Sequence, residues 1–309
     1  MKTGLFTHPV CLKHEMGEYH PEKPARIQAV LDRLRATGTD QHLIFREAPE
    51  ATPEDIGRAH IADMVINAQT PVEEGDYFPL NETLLNAWSW QAALRAAGAN
   101  IAAAKAVLAG ELDNAFCLVR PIGHHSTAGE AMGFSVFNSV AIAAMWAIKV
   151  YGLKRVAIVD IDVHHGNGTE DIFAHEPRVM MVSYYQEYLY PFSGNERQRE
   201  HMVNVCVPPG TDGTLIREVV KEKWLPALRR HQPELIFMSA GFDAHRDDPL
   251  GGMNLVEADY AWITRQVMDA AKELAGGRIV SSMEGGYNLE ALAGSAVAHI
   301  RTLAGLEQV

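Results

Sequence analysis

The apolar run Val156-Ala157-Ile158-Val159 passes directly into Asp160-Ile161-Asp162-Val163-His164-His165-Gly166-Asn167-Gly168-Thr169. No other stretch constrains the fold as strongly. An unbroken, β-branched run of this length reads as a strand buried on both faces, as parallel strands are when helices cover the sheet. While the backbone stays extended, side chains two apart share a face. Asp160, Asp162 and His164 then point one way, and Ile161 and Val163 the other. Two carboxylates and an imidazole at a buried strand end are costly unless they are paired or bound to a metal. Such an acidic-imidazole set suits a divalent ion such as zinc. The glycines that follow allow a tight turn and close approach of backbone to a ligand.

The same strand-then-helix alternation runs through most of the 309 residues. Strands are expected at Thr3–Thr7, Ala115–Arg120, Arg155–Asp160, Val179–Ser183, Leu235–Ala240 and Arg278–Met283. Helices are expected at Pro24–Arg35, Thr83–Leu108, Ser139–Val150, Leu215–Arg230, Glu257–Leu274 and Leu289–Leu303, with a kink or early stop at Pro226. Asn81 and Asn288 fit helix N-caps. This pattern implies a mostly parallel sheet with helices on both faces. With no repeat, low-complexity tract or Gly/Ser linker, residues 1–309 are expected to form one domain. Segments 60–82 and 184–202 are irregular and polar-aromatic, as segments that rim a site often are.

A net charge of −12 argues against nucleic acid as a partner, because such binding calls for a basic patch. The longest apolar run, Val140 to Ile148, is too short to span a bilayer. The start of the chain carries no signal-like apolar stretch, so cytoplasmic residence without membrane attachment is expected. Cys11, Cys117 and Cys206 lack metal-ligand spacing and are expected to be reduced, with Cys117 and Cys206 buried in strand-like runs. Whether the chain forms a homo-oligomer is left open.

Ligands of open α/β sheets bind beyond the carboxyl ends of the strands. Four expected strands release reactive side chains there. They lead into Arg120-Pro121-Ile122-Gly123-His124-His125, into the Asp160-to-Asn167 run, into Gly241-Phe242-Asp243-Ala244-His245, and into Glu284-Gly285-Gly286-Tyr287-Asn288. Each has an ordinary explanation alone, such as a polar loop, a helix cap or a packed aromatic. Brought to one crevice, they supply the carboxylates, imidazoles and phenol of a metal-assisted hydrolase.

With these motifs in their order, the chain resembles the histone deacetylase superfamily, in particular bacterial members similar to the class II enzymes. The resemblance runs from His20-Pro21-Glu22-Lys23-Pro24-Ala25-Arg26 through Glu284-Gly285-Gly286-Tyr287-Asn288-Leu289. It implies the three-layer α/β/α arginase-deacetylase fold, with zinc held by Asp162, His164 and Asp243. It makes His124 and His125 the tandem catalytic histidines, with Asp160 orienting the first and Asn167 supporting the second. Tyr287 would bond the substrate carbonyl and the oxyanion. Phe134, after Gly133, and Tyr190 would wall an acyl-lysine tunnel, and Arg26 would line an internal channel for acetate. A structural potassium ion would be held by Asp160, Asp162, His164, Ser183 and Tyr184. His165 reads as structural, and His14, His20 and His245 as structural or surface residues. Two departures stand out. Ile122 replaces a proline common among relatives, and Asn167 replaces an aspartate of class I enzymes.

The implied reaction is hydrolysis of an acetyl-lysine amide, or of a related short acyl amide, to an acid and a free amine. Zinc would polarise the carbonyl and acidify water, and the histidines would move protons. Iron or cobalt could occupy the same ligands. The substrate partner is an acylated lysine peptide or an acetylated small amine. An acetylpolyamine amidohydrolase would share the chemistry, but Leu250 stands where polyamine-selective members carry an acidic gate. An arginase-like ureohydrolase would want a two-manganese site with more aspartates. A non-catalytic metal-binding protein would not need the intact His124, His125 and Tyr287 set.

Overall fold

A computed structural model describes residues 1–194 and 199–308. Its strands are β1 (Thr3–Thr7), β2 (Leu43–Glu47), β3 (Phe78–Leu80), β4 (Thr83–Leu85), β5 (Asn114–Cys117), β6 (Val156–Asp160), β7 (Val179–Gln186), β8 (Met202–Val207), β9 (Ile236–Ala240) and β10 (Ile279–Met283). Its α-helices are α1 (Ala25–Ala36), α2 (Pro53–Ile56), α3 (Ala62–Ala68), α4 (Ser89–Leu108), α5 (Ser139–Trp146), α6 (Asn167–Phe173), α7 (Gly213–Val219), α8 (Leu225–His231), α9 (Glu257–Leu274) and α10 (Leu289–Leu303).

Eight strands form one parallel sheet in the order β2-β1-β5-β10-β9-β6-β7-β8. Helices flank it in the three-layer α/β/α arrangement expected from the alternation. One packed group is α1, α9 and α10, and another is α4 with α5. The inner strands β5, β6, β9 and β10 are buried at every residue, which is why they read as continuous apolar runs. These four are adjacent in the sheet, so the four reactive sequences leave it side by side.

Several expected boundaries change, each for a local reason. Helix α4 starts at Ser89 rather than Thr83, because residues 78–85 form the antiparallel β3–β4 hairpin. Asn81 is therefore a turn residue at φ 54°, not a helix cap; asparagine tolerates this left-handed conformation better than most residues. Around Pro226 the chain passes from α7 through a π-helical segment, Val220–Trp224, into α8. The proline, which has no N–H to donate, sits in the first turn of α8 and ends nothing. Strands β2 and β8 fall at the two sheet edges, where mixed exposure breaks the apolar run. Cys206 is exposed for the same reason, whereas Cys11 and Cys117 are buried, and all three are free. Of segment 184–202, positions 195–198 lie outside the described residues. Among the described residues, no helix is long and apolar enough to cross a membrane.

Candidate active site

The end of β6 delivers Asp160, Asp162 and His164, and the turn after β9 delivers Asp243, all buried. One ligand atom from each of Asp162, His164 and Asp243 lies within 4.8 Å of the others. His164 Nδ1 sits 2.9 Å from Asp162 Oδ1 and 3.1 Å from Asp243 Oδ2. The remaining carboxylate oxygens are fixed by backbone: Gly285 N–H donates to Asp162 Oδ2 and Val163 N–H to Asp243 Oδ1, both at 2.9 Å. Gly285 is required here, since a Cβ would stand 2.0 Å from Asp243 Oδ2. Two carboxylates and one imidazole converging in a buried recess fit a divalent ion of the zinc type, with coordination positions left for water and substrate.

Charges in this recess depend on one another. Burial alone would push His164 down, but its bonds to Asp162 and Asp243 raise it to about 10. Asp243 is pushed up to about 7 by burial and by the charge of Asp162. Asp162 is held low: burial opposes this, and the neighbouring histidines, His124 foremost, outweigh burial.

Beyond β5 the chain carries His124 and His125, with ring centroids 4.0 Å apart. His124 Nδ1–H donates to Asp160 Oδ2 at 3.0 Å, and His125 Nδ1–H donates to Asn167 Oδ1 at 2.8 Å. Burial disfavours charge on both rings. For His124 the carboxylates of Asp162 and Asp160 outweigh it and hold the ring well above the ordinary histidine range. For His125, burial together with the neighbouring His124 and His164 keeps the ring well below that range. The arrangement thus holds one protonated and one neutral imidazole side by side.

A cavity of about 380 Å³ opens over these groups, lined by His125, Phe134, His164, Tyr190, Leu250 and Tyr287. The Tyr190 ring lies edge-on to His125 with centroids 5.1 Å apart, and Phe134 lies edge-on to Tyr287 at 6.0 Å. Gly133 and Phe134 both adopt positive φ, 55° and 66°. A Cβ on Gly133 would stand 2.3 Å from the His125 ring, so this turn can approach the ring only as glycine. Burial raises the Tyr287 phenol far above its ordinary range, so at neutral pH it keeps the proton it can donate.

Arg26 is fully buried. It donates to the carbonyls of Gly286 (2.7 Å) and Glu284, and to Glu22 Oε1 at 2.9 Å. Glu22 in turn takes the Arg120 guanidinium, and burial is outweighed by Arg120 and Arg26, which lower its carboxyl to about 2. Asp160 and Ser183 are register partners across β6 and β7. The Ser183 hydroxyl donates to Asn204 Oδ1 at 2.8 Å, and the Tyr184 hydroxyl to the Ile161 carbonyl at 2.7 Å. His165 faces away from the recess and bonds Ser193 and Glu170 at 2.8 and 2.6 Å. His14 and His245 are buried, and the His20 ring packs edge-on against Phe134 with centroids 4.5 Å apart.

Glu284 stands in the motif that carries Tyr287, but the sequence assigns it no role. Its Oε2 accepts from the N–H groups of Gly123 and His124 at 2.7 and 3.2 Å, which fixes the start of the histidine pair. The only signal was an acid at the end of a buried strand. Glu82, on the β3–β4 turn, also lines the cavity and was hidden by the expected helix there.

Comparison with known proteins gives this arrangement its setting. Residues 20–303 match the family model for the histone deacetylase domain. A probable deacetylase of Archaeoglobus fulgidus is 35% identical over 94% of this chain and 82% of its own length. A histone deacetylase-like amidohydrolase of Pseudomonas aeruginosa is 35% identical over 93% of this chain and 82% of its own. The crystal structure of the HDA15 HD domain superposes with a TM-score of 0.90 at 32% identity, covering 100% of this chain and 90% of that one. Sheet order, flanking helices and matched sequence lead to the same conclusion: this chain belongs to the histone deacetylase family and is a hydrolase of its deacetylase and amidohydrolase kind.

Proposed function

We propose that this protein is a zinc-dependent deacetylase, a single catalytic domain that removes acetyl or related short acyl groups from lysine side chains of proteins or peptides. The observation that carries the reading is the cavity itself. Phe134 and Tyr190 are among the aromatic rings that wall it, His125 and Tyr287 line it, and His164 joins it to the Asp162–His164–Asp243 cluster. Such a shape takes a neutral acyl amide on a slender apolar stem.

A zinc ion held by Asp162, His164 and Asp243 would supply Lewis acidity toward the amide carbonyl and lower the pKa of a water. With Nδ1 committed to Asn167, His125 has Nε2 left to accept a proton from that water and return it to the departing amine. His124, held charged by Asp160 and Asp162, stabilises negative charge developing beside it. Tyr287 donates its hydroxyl to the developing oxyanion, a role worth a few kcal/mol for one such donor. A potassium ion at Asp160, Asp162, His164, Ser183 and Tyr184 would brace the β6 and β7 strand ends from behind. Arg26 would serve an acetate path while also gripping the carbonyls of Glu284 and Gly286.

An acetylpolyamine amidohydrolase is the second reading, and one observation favours it. Glu82 places a carboxylate on the cavity wall, where a cationic chain would pass. Leu250, apolar and on the same rim, favours acyl-lysine. A side-by-side assay of an acetyl-lysine peptide, a trifluoroacetyl-lysine peptide and N-acetylputrescine with zinc-loaded protein separates the readings. Higher kcat/KM on the peptides supports the first, and clear preference for N-acetylputrescine supports the second.

A further inference from the structure

Asp248 lies in the loop after β9, and no step above uses it. It is 6% exposed. Its Oδ2 accepts from the backbone N–H of Tyr287 at 2.6 Å and of Asn288 at 3.2 Å. Its Oδ1 accepts from the N–H of Leu250 at 2.9 Å. One buried carboxylate thus holds three backbone donors, one on the cavity rim and two at the turn that presents Tyr287.

The turn is gripped from its other side as well. Arg26 holds the carbonyls of Glu284 and Gly286, so the Gly286–Tyr287 peptide is held at its carbonyl by a cation and at its N–H by an anion, and the N–H of Asn288 by the same anion. The Asn288 side chain donates to the Asp247 carbonyl at 3.0 Å and caps α10 through the N–H groups of Glu290 and Ala291. The helix start therefore gives the turn a rigid base. The tyrosine hydroxyl stands at the far end of a long side chain, so a small rotation of its own peptide moves the hydroxyl further than the backbone. A misplacement of about 1 Å in a reacting geometry can cost on the order of 10² in rate.

We infer that Asp248 is a positioning residue: by holding the N–H groups of Tyr287 and Asn288 together with that of Leu250, it aims the tyrosine hydroxyl into the cavity and ties that aim to the tunnel rim. This rests on the oxyanion role proposed above for Tyr287.

The test is a double-mutant cycle on metal-loaded enzyme with Asp248→Asn, Tyr287→Phe and the double variant. Asparagine keeps the size of the side chain but replaces one accepting oxygen with a donor. Asp248→Asn should lower kcat about 10- to 100-fold with KM within about threefold, while metal content is retained. In the Tyr287→Phe background the same substitution should cost less than about threefold, because the hydroxyl it aims is gone. A non-turnover readout is affinity for a trifluoromethyl ketone analogue of acyl-lysine, which binds as its tetrahedral hydrate. It should weaken in Asp248→Asn, and the double variant should bind no more weakly than Tyr287→Phe alone.

Equal losses in both backgrounds, or wild-type kcat in Asp248→Asn, would overturn the inference. If Asp248→Asn does not fold, Asp248→Ser is read by the same cycle, and failure of both to fold would assign Asp248 to stability and overturn the positioning role. Near-wild-type turnover of Tyr287→Phe alone would instead remove the oxyanion reading. Loss in Tyr287→Phe beside full activity in Asp248→Asn removes only the positioning role.

Discussion

The Tyr190 hydroxyl donates to Glu82 Oε2 at 2.5 Å, latching an aromatic wall of the cavity to the turn of the β3–β4 hairpin. The same oxygen lies 3.4 Å from the Gly133 N–H. One exposed carboxylate therefore touches both walls of the tunnel, and part of its capacity to attract a cation is already spent on the protein's own donors.

Substrate choice should follow from that engagement. With Glu82 latched and Leu250 apolar, kcat/KM should be higher for acetyl-lysine peptides than for N-acetylputrescine or acetylspermidine. Leu250→Glu should narrow the gap by giving the distal ammonium a partner. Tyr190→Phe, which releases Glu82, should raise activity on N-acetylputrescine relative to the peptide. Steady-state kinetics on the three substrates decides this, and a wild-type enzyme faster on acetylpolyamines would reverse the assignment. The net charge of −12 has little say, since exposed charges beyond about 10 Å are largely screened at physiological salt.

The metal cluster predicts a single transition-metal site per chain. Metal analysis should find about one ion, and a chelator should remove activity that added zinc restores. Asp243→Ala should lose both the ion and turnover. A hydroxamate, which chelates through two oxygens, should inhibit. Full activity with unchanged metal content in Asp243→Ala would refute the assignment.

Tyr287→Phe deletes one hydroxyl from a buried ring and leaves its packing against Phe134 in place. It should keep its metal and melting temperature while losing on the order of 10² to 10³ in kcat. Unchanged turnover would make Tyr287 a packing residue.

Stability should decline on mild acidification for a reason remote from the site. His299 is fully buried between the hydroxyls of Thr264 and Ser281, at 2.7 and 2.9 Å, and burial lowers its pKa from 6.5 to about 3. Between those values the unfolded chain binds a proton that the folded chain refuses, so stability falls as pH drops from 6.5 toward 3. Urea unfolding at pH 7.5 and pH 5 should show a smaller difference for His299→Gln than for the wild type. An identical difference would show that His299 does not contribute.

How much of this was legible in the sequence depended on burial. Strand β1 and helices α9 and α10 run over the expected residues, because their apolar patterns meet the core on every turn or at every position. Asp162, His164 and Asp243 could be named because buried strand ends carry few acids without a reason. Strand β2, with Ile44 and Phe45 exposed on a sheet edge, has no such pattern to read. The β3–β4 hairpin was lost in a stretch whose helical spacing ran on past its true start. Asp248, and the role of Glu284, could not be read because what they bind is backbone, and backbone N–H groups leave no trace in a sequence.

The strand order carries one last consequence. Strand β10, the last strand among the described residues, pairs with β5 on one side and β9 on the other, at the centre of the sheet. Until it arrives, β2-β1-β5 and β9-β6-β7-β8 are two half-sheets with no strand between them. A chain emerging from the ribosome has therefore made both halves before it makes the piece that joins them. Gly285, which secures Asp162, and Tyr287 both follow that piece. Activity should require residues 279–287, and a nascent or clipped chain that lacks them should be unable to turn over substrate. Pairings between residues so far apart in sequence form slowly, so recovery of turnover after dilution from denaturant should trail recovery of helical signal.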